Sequence, residues 1–184
     1  SPDQGDNWRA NDGRYRNGLD ADGGPINGTP KQKNSTRYPP IPVIPLLISE
    51  LLYDGLTPST EGDEFVEVCN PTDKAAELSG YKIGDEETEG AGEGMYHLPQ
   101  DFRLQPDSCF IVAKNATQFA ARFGHWPDFE VIVSGEEYDD TADIPNLTKY
   151  RACGSGSWAL TNHGDEILLL VPNDEILDAI AYRD

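Results

Sequence analysis

No stretch of this 184-residue chain approaches the ~18–20 consecutive apolar residues that a membrane span requires, so no span is expected. Basic residues are scarce: 14 Lys and Arg stand against 33 Asp and Glu, a formal charge of −19. Nucleic-acid affinity rests on cations that neutralise phosphates, so direct binding to DNA or RNA is not expected. Cysteine is sparse as well, with Cys69, Cys109 and Cys153 far apart and in no CxxC pair. The close ligand pairs of a zinc site are therefore missing. The count allows one disulfide between two of the three plus a free thiol, or three buried thiols. Only three histidines occur, His97, His125 and His163, and none is placed beside a cysteine as a catalytic base. Gly154-Ser155-Gly156-Ser157 lacks the G-x-S-x-G spacing of a nucleophile elbow. The N-terminus carries no signal-peptide pattern, and Ser1 fits a processed protein or an excised fragment.

What is present divides at about residue 42. Residues 1–42 are rich in Gly, Asn, Asp and Pro and show neither a period of two nor one of 3.6. They read as an extended arm or linker that cannot build a core of its own. Their six bases against five acids leave the arm at +1 and the remaining 142 residues at −20. An arm of this length would reach about 140 Å at full extension. Its apolar anchors are Trp8, Tyr15, Leu19, Ile26 and Tyr38.

From Val43 onward short β-rich runs alternate with turn clusters. The runs are VIPLLISELLYD, EFVEV, GYKIG, SCFIVA, FEVIV, SWAL, EILLLV and EILDAIAY, and TPSTEGD, NPTD, NHGD and PND punctuate them. VPNDEILDAI predicts a tight hairpin turning at Asn173-Asp174. One segment differs: NATQFAARFG places Phe119 and Phe123 four residues apart, which suits a short helix ending at Gly124. Residues 85–94 and 134–156 read as acidic loops. The pattern predicts an all-β, antiparallel sandwich with one short helix, preceded by the arm.

Several groups invite a chemical reading. Glu64 and Glu67 sit in an apolar run, but residues three apart on a strand point to opposite faces and cannot act as one acid–base pair. Glu50 or Asp63 could join one of them. NGLDADGG offers Asp20 and Asp22 as alternating oxygen ligands, without the third acid and later Glu of a full calcium loop. Calcium ligands are also available at Asp85, Glu86, Glu87 and Glu89, and at Glu136, Glu137, Asp139 and Asp140; solvated charge runs are the plainer reading. Calcium is the one cofactor the sequence allows for. Sequons stand at Asn27, Asn34, Asn115 and Asn146.

The order of the blocks resembles the lamin tail domain family. LLISELLYDG, GDEFVEVCNP and AAELSGYKIGD are followed by YHLPQDFRLQPDSCFIVAKN, FAARFG and WALTNHGDEILLLVPNDEILDAIAY, together spanning residues 43–182. The resemblance implies an immunoglobulin-like β-sandwich in which Glu50, Glu64, Glu67, Asn70, Asn162 and Asp165 mark the fold without catalysing anything. The acidic insert before Trp158 departs from the family's compact form. The Trp and T-P-G-x-x-N ending common in the family does not follow Tyr182, yet GDNWRAN and GTPKQKNS near the N-terminus are similar to it. The expectation is a non-enzymatic, secreted or cell-surface interaction module, either a subunit whose arm completes a neighbouring copy or one unit of a tandem array carrying the tail of the preceding unit, so that its partners are copies of itself or other surface proteins. The alternative expectation is an accessory module beside a secreted hydrolase or nuclease.

Overall fold

The computed structural model describes residues 44–56, 61–85, 93–131, 140–152 and 156–183, and the backbone of two short strands before them. The chain forms two compact units, residues 1–42 and 43–184. In the first, β1 (Arg16–Leu19) pairs antiparallel with β2 (Pro25–Asn27) through an irregular register. The arm thus contains a strand pair where its composition gave no periodic signal. Trp8, Tyr15, Asp20, Asp22 and Tyr38 lie outside the described residues, and Leu19 and Ile26 are placed by backbone only.

The second unit is a sandwich of two sheets. One has the order β10-β9-β4-β3, with β3 Leu47–Leu52, β4 Phe65–Asn70, β9 Ser108–Ala113 and β10 Phe129–Glu130. The other has the order β11-β7-β6-β12-β13, with β6 Lys82–Gly84, β7 Met95–His97, β11 Thr148–Lys149, β12 Gly164–Leu170 and β13 Ile176–Arg183. A two-stranded ribbon of β5 (Ala76–Glu77) and β8 (Arg103–Leu104) completes it. Pairing is antiparallel within both sheets apart from β10, which runs parallel to β9.

Strand alternation builds the core. Val66, Val68, Phe110 and Val112 face inward from one sheet, and Ile83, Tyr96, Ile167 and Leu169 from the other, with Trp158 in the same cluster. Residues of opposite parity leave that core: Met95, Leu168 and Leu170 form a separate cluster with Tyr150 against it. The expected hairpin joins β12 to β13, and Asp174 takes a φ of +65° in its turn. Beside that turn, the buried Lys82 ammonium donates to the Pro172 carbonyl at 3.0 Å and pairs with Asp174, while the Tyr150 hydroxyl donates to Asp174 Oδ2 at 2.9 Å.

The predicted helix is α1 (Ala116–Phe123), and both ends follow from sequence. Asn115 caps it, its side chain accepting from the Gln118 N–H at 2.9 Å, and Gly124 ends it at φ +79°. Phe119 packs under the helix against Phe65 and Ala113. The SWAL run does not form a strand, yet it buries Trp158 and Leu160 in the core. Conversely, β5, β7, β8 and β11 have no counterpart among the predicted runs, and β11 lies inside the stretch read as a loop.

Candidate functional site

Among the described residues, several buried carboxylates of the sandwich hold backbone N–H groups. Asp85 accepts the Gly94 N–H on one oxygen and the Ala159 N–H on the other, each at 2.8 Å. It is fully buried, and burial pushes its carboxyl up to about 6. Both its oxygens accept from the chain; Glu86, Glu87 and Glu89 lie outside the described residues. Glu130 repeats the pattern, accepting the Ala116 N–H at 2.9 Å and the Thr141 N–H at 2.8 Å. Its carboxyl is raised by burial. Asp63, also buried, accepts the Leu56 N–H at 3.0 Å.

Glu64 and Glu67 go to different places, as strand alternation requires. Glu64 stands just before β4, fully buried, with the Lys114 ammonium 3.1 Å from Oε2. Burial raises its carboxyl to about 8, against the opposing pull of Lys114. Asp63 and Glu61 push it the same way as burial does. Glu67 faces outward on β4, where Ser49 Oγ donates to its Oε1 at 2.6 Å. Glu50, opposite Glu67 in the β3–β4 register, is exposed.

The remaining family markers also serve turns. Asn70 is buried; its amide donates to the carbonyls of Lys74 at 2.7 Å and Gln105 at 3.0 Å, and its oxygen accepts the Thr72 hydroxyl at 2.7 Å. Asn162 donates to Glu61 Oε1 at 2.8 Å, and Asp165 accepts the Thr161 N–H at 2.9 Å. A cleft of about 550 Å³ opens beside Asp165, lined by Glu93, His163, Glu166, Tyr182 and Arg183. Burial also raises the Tyr182 phenol, whose ring stacks on Tyr53 at 3.9 Å.

The cysteines are resolved by register. Cys69 and Cys109 lie directly opposite on β4 and β9 and form a disulfide, with Cα atoms 4.0 Å apart. Cys153, with Glu136, Glu137 and Asp139, lies outside the described residues. Asp140 is exposed and accepts the Asn146 amide at 2.6 Å. Of the sequons, Asn115 is buried as the helix cap, so a glycan there would cost the cap; Asn146 is exposed. No sequence signal pointed to Lys82. Glu130 had a weak one, a lone acid within the apolar run FEVIV.

What this arrangement does chemically is hold a sandwich closed. Its buried acids fix loops and caps at the ends of strands, where a catalytic site would need them directed at open space. No curated protein sequence matches the chain. Among solved structures, the chain is similar to a DUF4876 family protein from Bacteroides thetaiotaomicron, at a TM-score of 0.53 and 16% identity. The match covers 70% of this chain and 42% of that one, so this chain corresponds to less than half of that structure, and the likeness speaks to the fold alone. A family model for the Lamin Tail Domain matches residues 41–184. The chain therefore belongs to the lamin tail domain family, a family of non-enzymatic, immunoglobulin-like β-sandwiches.

Proposed function

We propose that this protein is an interaction and assembly module of secreted or surface location, self-associating head to tail through residues 1–42. The observation that carries the reading is the division into two compact units of opposite net charge, one near +1 and the other near −20. The arm's slight positive charge complements an acidic sandwich, and the β1–β2 pair supports strand pairing by the arm. Adding a strand to a sheet edge supplies main-chain hydrogen bonds without a preformed pocket. The eight-residue β13 ends the five-stranded sheet and offers the longest such edge. A head-to-tail contact of this kind builds a filament where its rotation does not close, and a ring where it does. The Cys69–Cys109 disulfide favours an oxidising compartment outside the cytosol.

The test is deletion of residues 1–38 followed by static light scattering. Loss of the concentration-dependent mass increase supports the reading, and unchanged assembly overturns it. The second reading, an accessory module beside a secreted hydrolase or nuclease, would be carried by a catalytic domain encoded next to this segment.

A further inference from the structure

On the outer face of the four-stranded sheet three ligand-bearing side chains meet. Val66, Val68 and Asn70 of β4 are buried, so the alternate residues Glu67 and Cys69 point outward. The β4–β9 register sets Cys109 opposite Cys69. Glu67 Oε1 lies 3.4 Å from Cys69 Sγ, and one ligand atom from each of Glu67, Cys69 and Cys109 falls within 4.8 Å of the others. A register shift between Ile48 and Glu50 brings Ser49 over this group. Its Oγ sits 3.0 Å from Cys69 Sγ and 2.6 Å from Glu67 Oε1, holding the carboxylate beside the sulfur.

In the disulfide form the two sulfurs are neutral and bonded to each other. Reduction by two equivalents of a small thiol converts Cys69–S–S–Cys109 and 2 RSH into two Cys thiols and RS–SR, a two-electron exchange. The products are two thiols beside a carboxylate, on a unit already at −20. Ionising both would crowd three negative groups together unless a cation neutralises them. Two sulfurs and one carboxylate oxygen suit a borderline-soft ion of the zinc class, and disfavour calcium or magnesium, which take oxygen. Zinc–sulfur bonds of about 2.3 Å require the sulfurs to part to roughly 3.8 Å in a tetrahedral site, which rotation about the two Cα–Cβ bonds on facing strands supplies.

We propose that reduction of the Cys69–Cys109 disulfide turns this face into a zinc-class metal site with Cys69, Cys109 and Glu67 as ligands and Ser49 orienting Glu67. Each thiol loses its proton to solvent as the ion binds, and the fourth position stays open to water. The missing CxxC motif is no obstacle, because sheet register supplies the adjacency that sequence spacing lacks. The site is closed under oxidation and opened by a dithiol or phosphine reductant.

The test uses the full chain carrying Cys153→Ser, reduced with a phosphine, desalted without oxygen and titrated with Cd²⁺ as the zinc surrogate. The expected result is one Cd²⁺ per reduced chain with a thiolate-to-metal charge-transfer band, and no such band for the oxidised chain. Cys69→Ser should abolish the band, and Glu67→Gln should weaken binding by at least the about ten- to hundredfold that the loss of an outer-shell partner costs. The wild-type chain compared with Cys69→Ser gives the same contrast should Cys153→Ser unfold. Absence of binding by the reduced chain overturns the proposal. So does binding that ignores Cys69→Ser or Glu67→Gln, or loss of the β-sheet circular-dichroism signal on reduction alone.

Discussion

Glu64 carries the largest electrostatic consequence of any single side chain described. Its folded-state carboxyl is raised to about 8, while the unfolded chain restores the ordinary 4.5. Below pH 4.5 both states hold the proton and the contribution to stability is complete. Between 4.5 and about 8 the unfolded state has released its proton and the folded state has not, so stability falls as pH rises. Glu64→Gln keeps the shape of the neutral acid and removes the titration. Urea unfolding across this range should show wild-type stability declining toward pH 8 and a visibly flatter profile for Glu64→Gln. Equal slopes would mean that Glu64 is ionised in the folded protein. A raised carboxyl of this kind in a cleft is often read as catalytic. Here the Lys114 pair and the neighbouring Asp63, itself held by the Leu56 N–H, give it a structural setting.

Individual elements differ in how legible they were. Helix α1 could be read because its signals are local: Asn115 at the cap, two phenylalanines one turn apart and Gly124 at the end. Asn115→Ala should cost about 1 kcal/mol in urea unfolding, the usual size of a lost cap. The long strands β3, β4, β9, β12 and β13 announced themselves by apolar runs and turn residues. Two- and three-residue strands cannot show a period, and so Met95–His97 went unpredicted and Thr148–Lys149 was read as part of a loop. SWAL misled in the other direction, because Trp158 and Leu160 are apolar for burial and make no ladder. The disulfide was the least legible feature, since 40 residues separate Cys69 from Cys109 and only the sheet register joins them. Closing a loop of that size contributes about 4 kcal/mol in the chain-entropy view. The Cys69→Ala, Cys109→Ala double variant should lose stability of this order by urea midpoint while keeping its sheet signal, because the β4–β9 ladder runs the full length of both strands.

The whole molecule is an acidic sandwich with a nearly neutral appendage that contains a strand pair. Its family membership and buried-acid architecture belong to the sandwich, and the proposed assembly belongs to the charge asymmetry between the two units. That asymmetry was visible in composition alone, whereas the β1–β2 pairing was not, because Gly, Asn and Pro mask any alternation. The assembly proposed here is electrostatically steered, so ionic strength is the natural lever, with a screening length near 8 Å at physiological salt and about 3 Å at 1 M. Sedimentation velocity of the full chain over a range of concentrations, at low salt and at 1 M, tests the self-association. The expected result is a ladder of species larger than the 20.2 kDa monomer that grows with concentration and recedes at high salt. A single monomeric boundary at every concentration and both salts would contradict it.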